Sequence, residues 1–519
     1  MKRTLFILLA GLCIACCTPS FDVIVVGGGA SGSCAAIQAA RSGARTMVLE
    51  EGPWLGGMLT SAGVSAVDGN FKLRAGLFGE FCDSLARRYG SLENLHTGWV
   101  SRIMFEPQIG AEVLLNMAGR EKNLTLVFGG RIRELRSLRS GWELSLEDGS
   151  RVRTRILVDG TELGDVAAAC GVPCDKGNED GVIQDLTMVL IVRDYGHGED
   201  RTIPKPEGYD PALYANCCIN PLNRPSAKGQ MLWTAEQMLS YGRLPGGDIM
   251  LNWPIEGNDC YADMIDASPE RRKALRDSAA AISLGYLYFI QTELGYKSLG
   301  IAEGVFPTED GLPLMPYHRE SRRIHGIRRF TLADAADPYS STLYSEGVAP
   351  GDYPVDHHHF RHPDWESLPR EWPRIWPFSV PLGVMIPRDV DGLIVAEKSV
   401  SVDFAINGAT RLQPVVMELG QAAGILAAIC ARENLSPRDV PVIRVQRELL
   451  RLGARIQPYL DANPGDEAFA EMQLAGTLGL VRAQSFSSGW TNCSRLSISP
   501  EEAVRLCREA GIPSVNQSK

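Results

Sequence analysis

Two clusters in the middle of the chain carry side chains suited to moving protons and holding charge. Tyr353, Pro354, Val355 and Asp356 lead into His357, His358 and His359, so three of the eight histidines stand in a row. An imidazole titrates near neutrality and serves as a general base toward a hydroxyl proton. Consecutive residues of an extended loop point to alternating sides, so His357 and His359 would share one side and His358 the other. Such a row seldom ligates one ion, and no metal is expected; a solvated loop competes with the base reading. Arg319, Arg322 and Arg323 fall three and four residues apart, which on a helix would put all three on one face. A guanidinium fork suits a carboxylate or other polar oxygen and stabilises developing charge. A solvated charged face is the plainer reading. Arg319, Arg322, His357, His358 and His359 are the candidate catalytic residues.

A second constellation, near the amino end, is built from glycines. Val23 to Val26 is a β-branched run of the kind buried in a parallel strand, and Gly27, Gly29 and Gly32 follow at GxGxxG spacing. Those glycines permit a tight turn, close approach of backbone to a pyrophosphate, and close packing of helix on strand. A helix is expected from about Ser31 to Ser42, ended by Gly43, with its positive amino end aimed at phosphates. Thr46 to Leu49 reads as the next strand and ends in Glu50, 23 residues after Gly27, the place of an acid that holds an adenosine ribose. Strand, turn, helix, strand and acid in this order describe a pocket for an adenine dinucleotide.

Further elements must bring the two constellations together. Trp142 to Leu146 and Arg151 to Arg155 alternate about an acidic glycine turn and read as a hairpin. Ile156 to Asp159 is another buried strand, followed by a second glycine turn from Gly160 to Asp165 and the helical stretch Val166 to Cys170. In a parallel sheet such junctions share the ligand-binding face. From 181 to 378 proline, tryptophan and tyrosine rise and alternation fades, which marks an inserted α+β substrate or cap domain. It includes a long helix from Arg271 to Thr292 and a loop leading into an arginine-rich helical start at Thr308 to Arg323. The doubly wound pattern resumes over 379–435, with a strand at Leu393 to Ala396 and a helix at Val415 to Ala431 whose Gly420 and Gly424 suggest close packing on the sheet. The remainder, 436–519, reads as a mostly helical accessory region. The fold class is α/β with a mostly parallel, doubly wound sheet. The expected divisions are 1–17, 20–180, 181–378, 379–435 and 436–519.

Bulk properties narrow the partners. With 519 residues, 45% of them hydrophobic, the chain suffices for more than one domain and a sizeable core. A net charge of -10 argues against nucleic acid, whose phosphates need a basic surface. Lys2 and Arg3 precede the apolar run Leu5 to Ala15, a layout of an export signal too short to span a bilayer. Ala15 before Cys16 permits membrane anchoring through a lipidated Cys16, although Cys13 stands where an aliphatic residue is usual. Export is expected, to the periplasm or to a membrane as a lipoprotein. The remaining cysteines form no CxxC and no regular framework.

Four segments taken together carry a resemblance. GGGASGSCAAIQAARSGARTMVLEEGPWLGGMLT, LVDGTELGDVAAACGV, GLPLMPYHRESRRI and VMIPRDVDGLIVAEKSVSVDFAINGATRLQPVVMELGQAAG resemble the FAD-dependent oxidoreductases of glutathione-reductase-like fold, over most of 21–440. The resemblance implies FAD as cofactor, with Gly27, Gly29, Ala30, Ser31 and Gly32 around the pyrophosphate and Glu50 on the adenosine ribose. It implies that Gly56, Gly57 and Met58 lie along the cofactor and that the Gly160 to Asp165 turn adds a contact. Arg411, Gln413 and Pro414 would begin a helix aimed at the pyrimidine edge of the flavin, where negative charge gathers on reduction; for Arg411 a surface ion pair is the bland alternative. The implied activity is hydride transfer between flavin N5 and a small polar metabolite, such as a sugar, hydroxy acid or unsaturated acid. A flavin monooxygenase and a non-catalytic FAD-binding surface lipoprotein are the alternatives. The electron donor or acceptor is unassigned by the sequence.

Overall fold

The computed structural model describes residues 18–225, 231–489 and 491–515. The segment 1–17, including Cys16, lies outside them. The central sheet begins with β1 (Ser20–Val26), β2 (Thr46–Glu50), β3 (Leu124–Phe128), β4 (Ile132–Leu138), β5 (Gly141–Leu146) and β6 (Arg151–Asp159). β1 runs parallel to β2 and β6, and β2 parallel to β3. Val23, Ile24 and Val25 are fully buried, as the continuous β-branched run requires of a strand covered on both faces. The helix α1 (Ala30–Arg41) follows the glycine turn one residue earlier than the sequence suggests.

Two stretches read separately in the sequence are one strand. β6 spends its first half as the hairpin partner of β5, antiparallel, from Arg151 to Thr154. Its second half pairs parallel with the strand Leu393–Val395 through Leu157, Val158 and Asp159. A single strand therefore carries the chain from the hairpin to the ligand face, and the late strand returns beside it.

The helix Gln413–Glu433 is buried along almost its whole length. Its Gly420 and Gly424 pack on α1 rather than on the sheet: a Cβ at Gly424 would stand 2.5 Å from the carbonyl oxygen of Ala35, and one at Gly420 would drive into Ser31. Bare backbone at both positions lets the helix sit close over the cofactor turn. The carboxyl-terminal region holds the helices Val442–Arg451, Phe469–Thr477 and Pro500–Glu509 and also a hairpin, Gln484–Ser488 with Thr491–Arg495. Its Val445, Leu449, Tyr459 and Phe469 join the same hydrophobic core as Val23 and Ile394.

Between 181 and 378 a small antiparallel sheet joins Leu190–Asp194 to Ile249–Leu251 and Leu299–Ile301. The helix Pro269–Thr292 is capped by Ser268, whose hydroxyl accepts from the Arg271 N–H. Leu190, Val192, Trp253, Tyr286 and Phe289 form a core of their own. The segment ahead of the arginines is not helical. Tyr317 bridges back to Thr187, and the chain stays extended to a two-residue strand at Arg323–Ile324.

Candidate active site

The first glycine turn and the second touch. A Cβ on Gly27, whose φ is +86°, would stand 2.6 Å from the Gly160 carbonyl, and a side chain on Gly32 would collide with the carbonyl of Gly27. Gly56 donates to the Gly28 carbonyl at 2.8 Å, and Gly57 lies against Gly29. Gly27, Gly29, Ala30, Ser31, Gly32, Gly56, Gly57 and Gly160 thus line one narrow cradle. Glu50 closes its outer end, its carboxylate accepting from Gly28 N at 2.6 Å and Gly52 N at 2.7 Å. Burial pushes its carboxyl up, against those two amides. Two buried polar atoms in the cradle, Ser31 Oγ and Glu162 Oε1, have no partner. A cradle that any side chain would fill, with the unpartnered Ser31 hydroxyl able to donate at the amino end of a helix, fits a dinucleotide pyrophosphate. Met58 is fully buried among Leu55, Leu59 and Phe105, on the core side.

The amino end of Gln413–Glu433 joins this cradle to a second space. The Gln413 amide donates to the Ala66 carbonyl at 3.0 Å and accepts from Asp68 N at 3.2 Å. Ala66 and Asp68 in turn line a cavity with Tyr317, Arg319, Asp356 and His358. Pro414, in the helix's first turn, has no N–H to leave unsatisfied. Arg411 is no surface residue: it is fully buried, donates to Tyr317 Oη at 2.6 Å and pairs with Asp356 at 3.0 Å.

His358 is the titratable centre of the cavity. Its Nδ1 lies 2.6 Å from Asp259 Oδ2, and its Nε2 3.5 Å from Asp356 Oδ1. Burial and the charge of Arg319 favour its neutral form, but Asp259 and Asp356 outweigh them and hold its pKa above the ordinary value. Burial likewise works against both carboxylates. For Asp259 the charges of Arg319 and His358 prevail, and for Asp356 those of His358 and Arg411, so each stays ionised well below the usual range. Asp68 differs, since burial and the like charge of Asp356 push it up to about 7. Arg319 is 1% exposed and reaches the Thr187 hydroxyl at 2.8 Å, Asn252 at 3.2 Å and Asp259 at 3.3 Å.

The other candidates lie elsewhere. Arg322 binds the Leu163 carbonyl, Asp165 at 2.8 Å and Asp266 at 2.5 Å, locking the insert to the second glycine turn. Asp165 is committed to that lock, pairing with Arg272 as well. His357 sits 2.9 Å from the Phe404 carbonyl, and burial pushes it down to about 3. His359 is buried with both ring nitrogens unpartnered, and burial pushes it down to about 4. Neither lines the cavity. Sequence reasoning missed Asp68, Asp259 and Asn252, since a single acid or amide in an irregular segment carries no periodic signal. Glu162, Glu397 and Lys398 were also missed, although Glu397 and Lys398 follow closely on the apolar strand Leu393–Val395.

No curated protein matches the chain. Similar solved structures include NikD, an unusual amino acid oxidase essential for nikkomycin biosynthesis, with 17% identity and a TM-score of 0.22 over 36% of this chain and 60% of that one. This chain therefore spans about 60% of the length of that oxidase. The p-nitrophenol 4-monooxygenase PnpA from Pseudomonas putida DLL-E4 matches at 15% identity and a TM-score of 0.35, covering 89% of this chain and 95% of its own. A thioredoxin reductase from T. acidophilum matches at 20% identity and a TM-score of 0.17, covering 27% and 34%. The family model described as FAD dependent oxidoreductase matches residues 22–449, the span that holds the whole glycine cradle and the cavity beside it; the chain belongs to that family.

Proposed function

We propose that the chain oxidises a hydroxyl-bearing small polar metabolite, a sugar or hydroxy acid, in the cavity around His358. The observation that supports this most is the Asp259–His358 pair, 2.6 Å apart, inside a cavity that shares a wall with the cofactor helix. When bound, FAD supplies the hydride acceptor. The chain's own residues supply the rest. Neutral His358 takes the hydroxyl proton at Nε2, and Asp259 holds the ring through Nδ1 and stabilises the imidazolium that forms. Arg319, fixed by Thr187 and Asn252, offers a cation to a substrate oxygen. Val64, Val100 and Met250 add apolar surface to the lining, beside the polar groups of Asn252 and Asp68.

Delivery across a membrane by the segment 1–17, with Cys16 as its lipid anchor, belongs to the same proposal, as does an external electron acceptor. The test is anaerobic bleaching of the protein-bound flavin by a panel of sugars, hydroxy acids, amino acids and phenols. Bleaching by a sugar or hydroxy acid is expected. Bleaching by amino acids alone, or flavin reduction only by a nicotinamide cofactor with phenol present, would contradict it.

A further inference from the structure

The amino end of α1 is a seat for an anion, because its free N–H groups and its dipole favour negative charge. The chain's own side chain already sits there. Glu397 Oε2 accepts from Ser31 N at 2.9 Å and lies 3.3 Å from where a Cβ on Gly29 would stand. Glu397 is fully buried and holds φ at +63°, a left-handed conformation that costs a residue with a Cβ. Lys398, buried beside it, donates to Glu397 at 3.1 Å and also to Glu162. Glu162 Oε1 and Ser31 Oγ face the same turn without partners. Glu397 and Glu162 share the one ammonium of Lys398 at the seat a pyrophosphate would take, and burial pushes the Glu162 carboxyl up.

We infer that Glu397 competes with the FAD pyrophosphate for the anion seat of α1 and gives the seat up when FAD loads. One N–H cannot serve both groups at full strength, and two anions at hydrogen-bond distance repel each other. Glu397 therefore gives up Ser31, and Lys398 turns from Glu397 to the incoming phosphate. No covalent bond changes. Lys398 keeps a carboxylate partner in Glu162 throughout, so the ammonium is never left unpaired in a buried place. The inference rests on the family's cofactor and concerns what competes with it.

The test is titration of cofactor-stripped protein with FAD, read by quenching of flavin fluorescence, for the wild type, Glu397→Gln and Glu397→Gly. The glutamine removes the charge and keeps the length, and the glycine also suits the left-handed backbone. Both variants should bind FAD about tenfold more tightly, and inorganic pyrophosphate should compete with FAD more effectively in both than in the wild type. Unchanged or weaker FAD binding in either variant that folds overturns the inference, for Glu397 would then be a ligand of bound FAD or a structural ion-pair partner. If Glu397→Gln does not fold, Glu397→Gly decides alone. A wild type that binds no FAD at all would overturn both the inference and the cofactor assignment beneath it.

Discussion

The cofactor cradle and the charged cavity around His358 lie side by side and are built in opposite ways. The cradle is mostly backbone: Gly27, Gly32, Gly57 and Gly160 approach so closely that a single Cβ has nowhere to go. The cavity is mostly charge: Asp259, His358, Asp356, Arg411 and Arg319 hold one another in a chain of ion pairs. A backbone site tolerates no added atoms, while a charge site tolerates changes of volume but not of protonation. The two therefore fail differently, and substitution can tell them apart.

The largest effect belongs to the cradle. Gly32→Ala forces a methyl group into the Gly27 carbonyl, an overpacking of about 3 kcal/mol that the turn escapes only by moving out of the cradle's geometry, and a loss of that size in binding is about a hundredfold in FAD affinity. FAD titration checks it, and unaltered affinity would mean the turn is looser than the structure has it. A smaller and different effect belongs to the cavity. Asp259→Asn should keep FAD bound but lower the limiting rate of flavin reduction by about tenfold. It should also move the pH dependence, because Asp259 is one of two carboxylates that raise His358. The base acts when neutral, so wild-type reduction climbs as pH rises through the raised pKa of His358, and in the variant that climb shifts to lower pH. Rapid-mixing reduction across pH 5 to 9 reads both changes.

Linkage sets a matching trend in stability. The raised His358 pKa contributes stability in full below the ordinary histidine value of about 6.5 and loses it as pH rises through the folded value. The Asp259→Asn protein should show less of that alkaline loss in thermal melts. The smallest effect separates the lock from the cavity. Arg322→Met removes the pairs with the part-exposed Asp165 and the exposed Asp266, so stability should fall by about 1 kcal/mol. Flavin reduction per bound FAD should stay within about twofold. A large loss of reduction rate with normal stability would place Arg322 with the reacting groups instead.

The same contrast explains what the sequence made legible. The cradle's strand, turn, helix and acid are contiguous from Phe21 to Gly57, and each glycine answers to a local backbone demand, so pattern and structure agree to within a residue at α1. The partner of Gly420 and Gly424 was not legible, because spacing shows that a helix packs closely but not against what. The arginine spacing misled for a related reason. Three and four residues apart fits a helix, yet Arg319, Arg322 and Arg323 each answer a different long-range partner: Thr187, Asp165 and the Gly177 carbonyl. Those contacts need an extended chain, and tertiary demand overrode local spacing. Asp259 had no local mark at all. It sits in the strand Asp259–Cys260, which pairs with Leu186–Thr187, and meets His358 only through the fold.

The central claim is that substrate is deprotonated by His358 beside the flavin. Its most direct test is anaerobic reduction of protein-bound FAD by a bleaching sugar or hydroxy acid, followed by rapid mixing in the wild type and in His358→Gln. With His358 acting as base, the variant keeps its flavin spectrum and FAD affinity, and its reduction rate falls by about a hundredfold or more with the neutral-range pH inflection gone. An unchanged reduction rate and inflection in His358→Gln would contradict the claim.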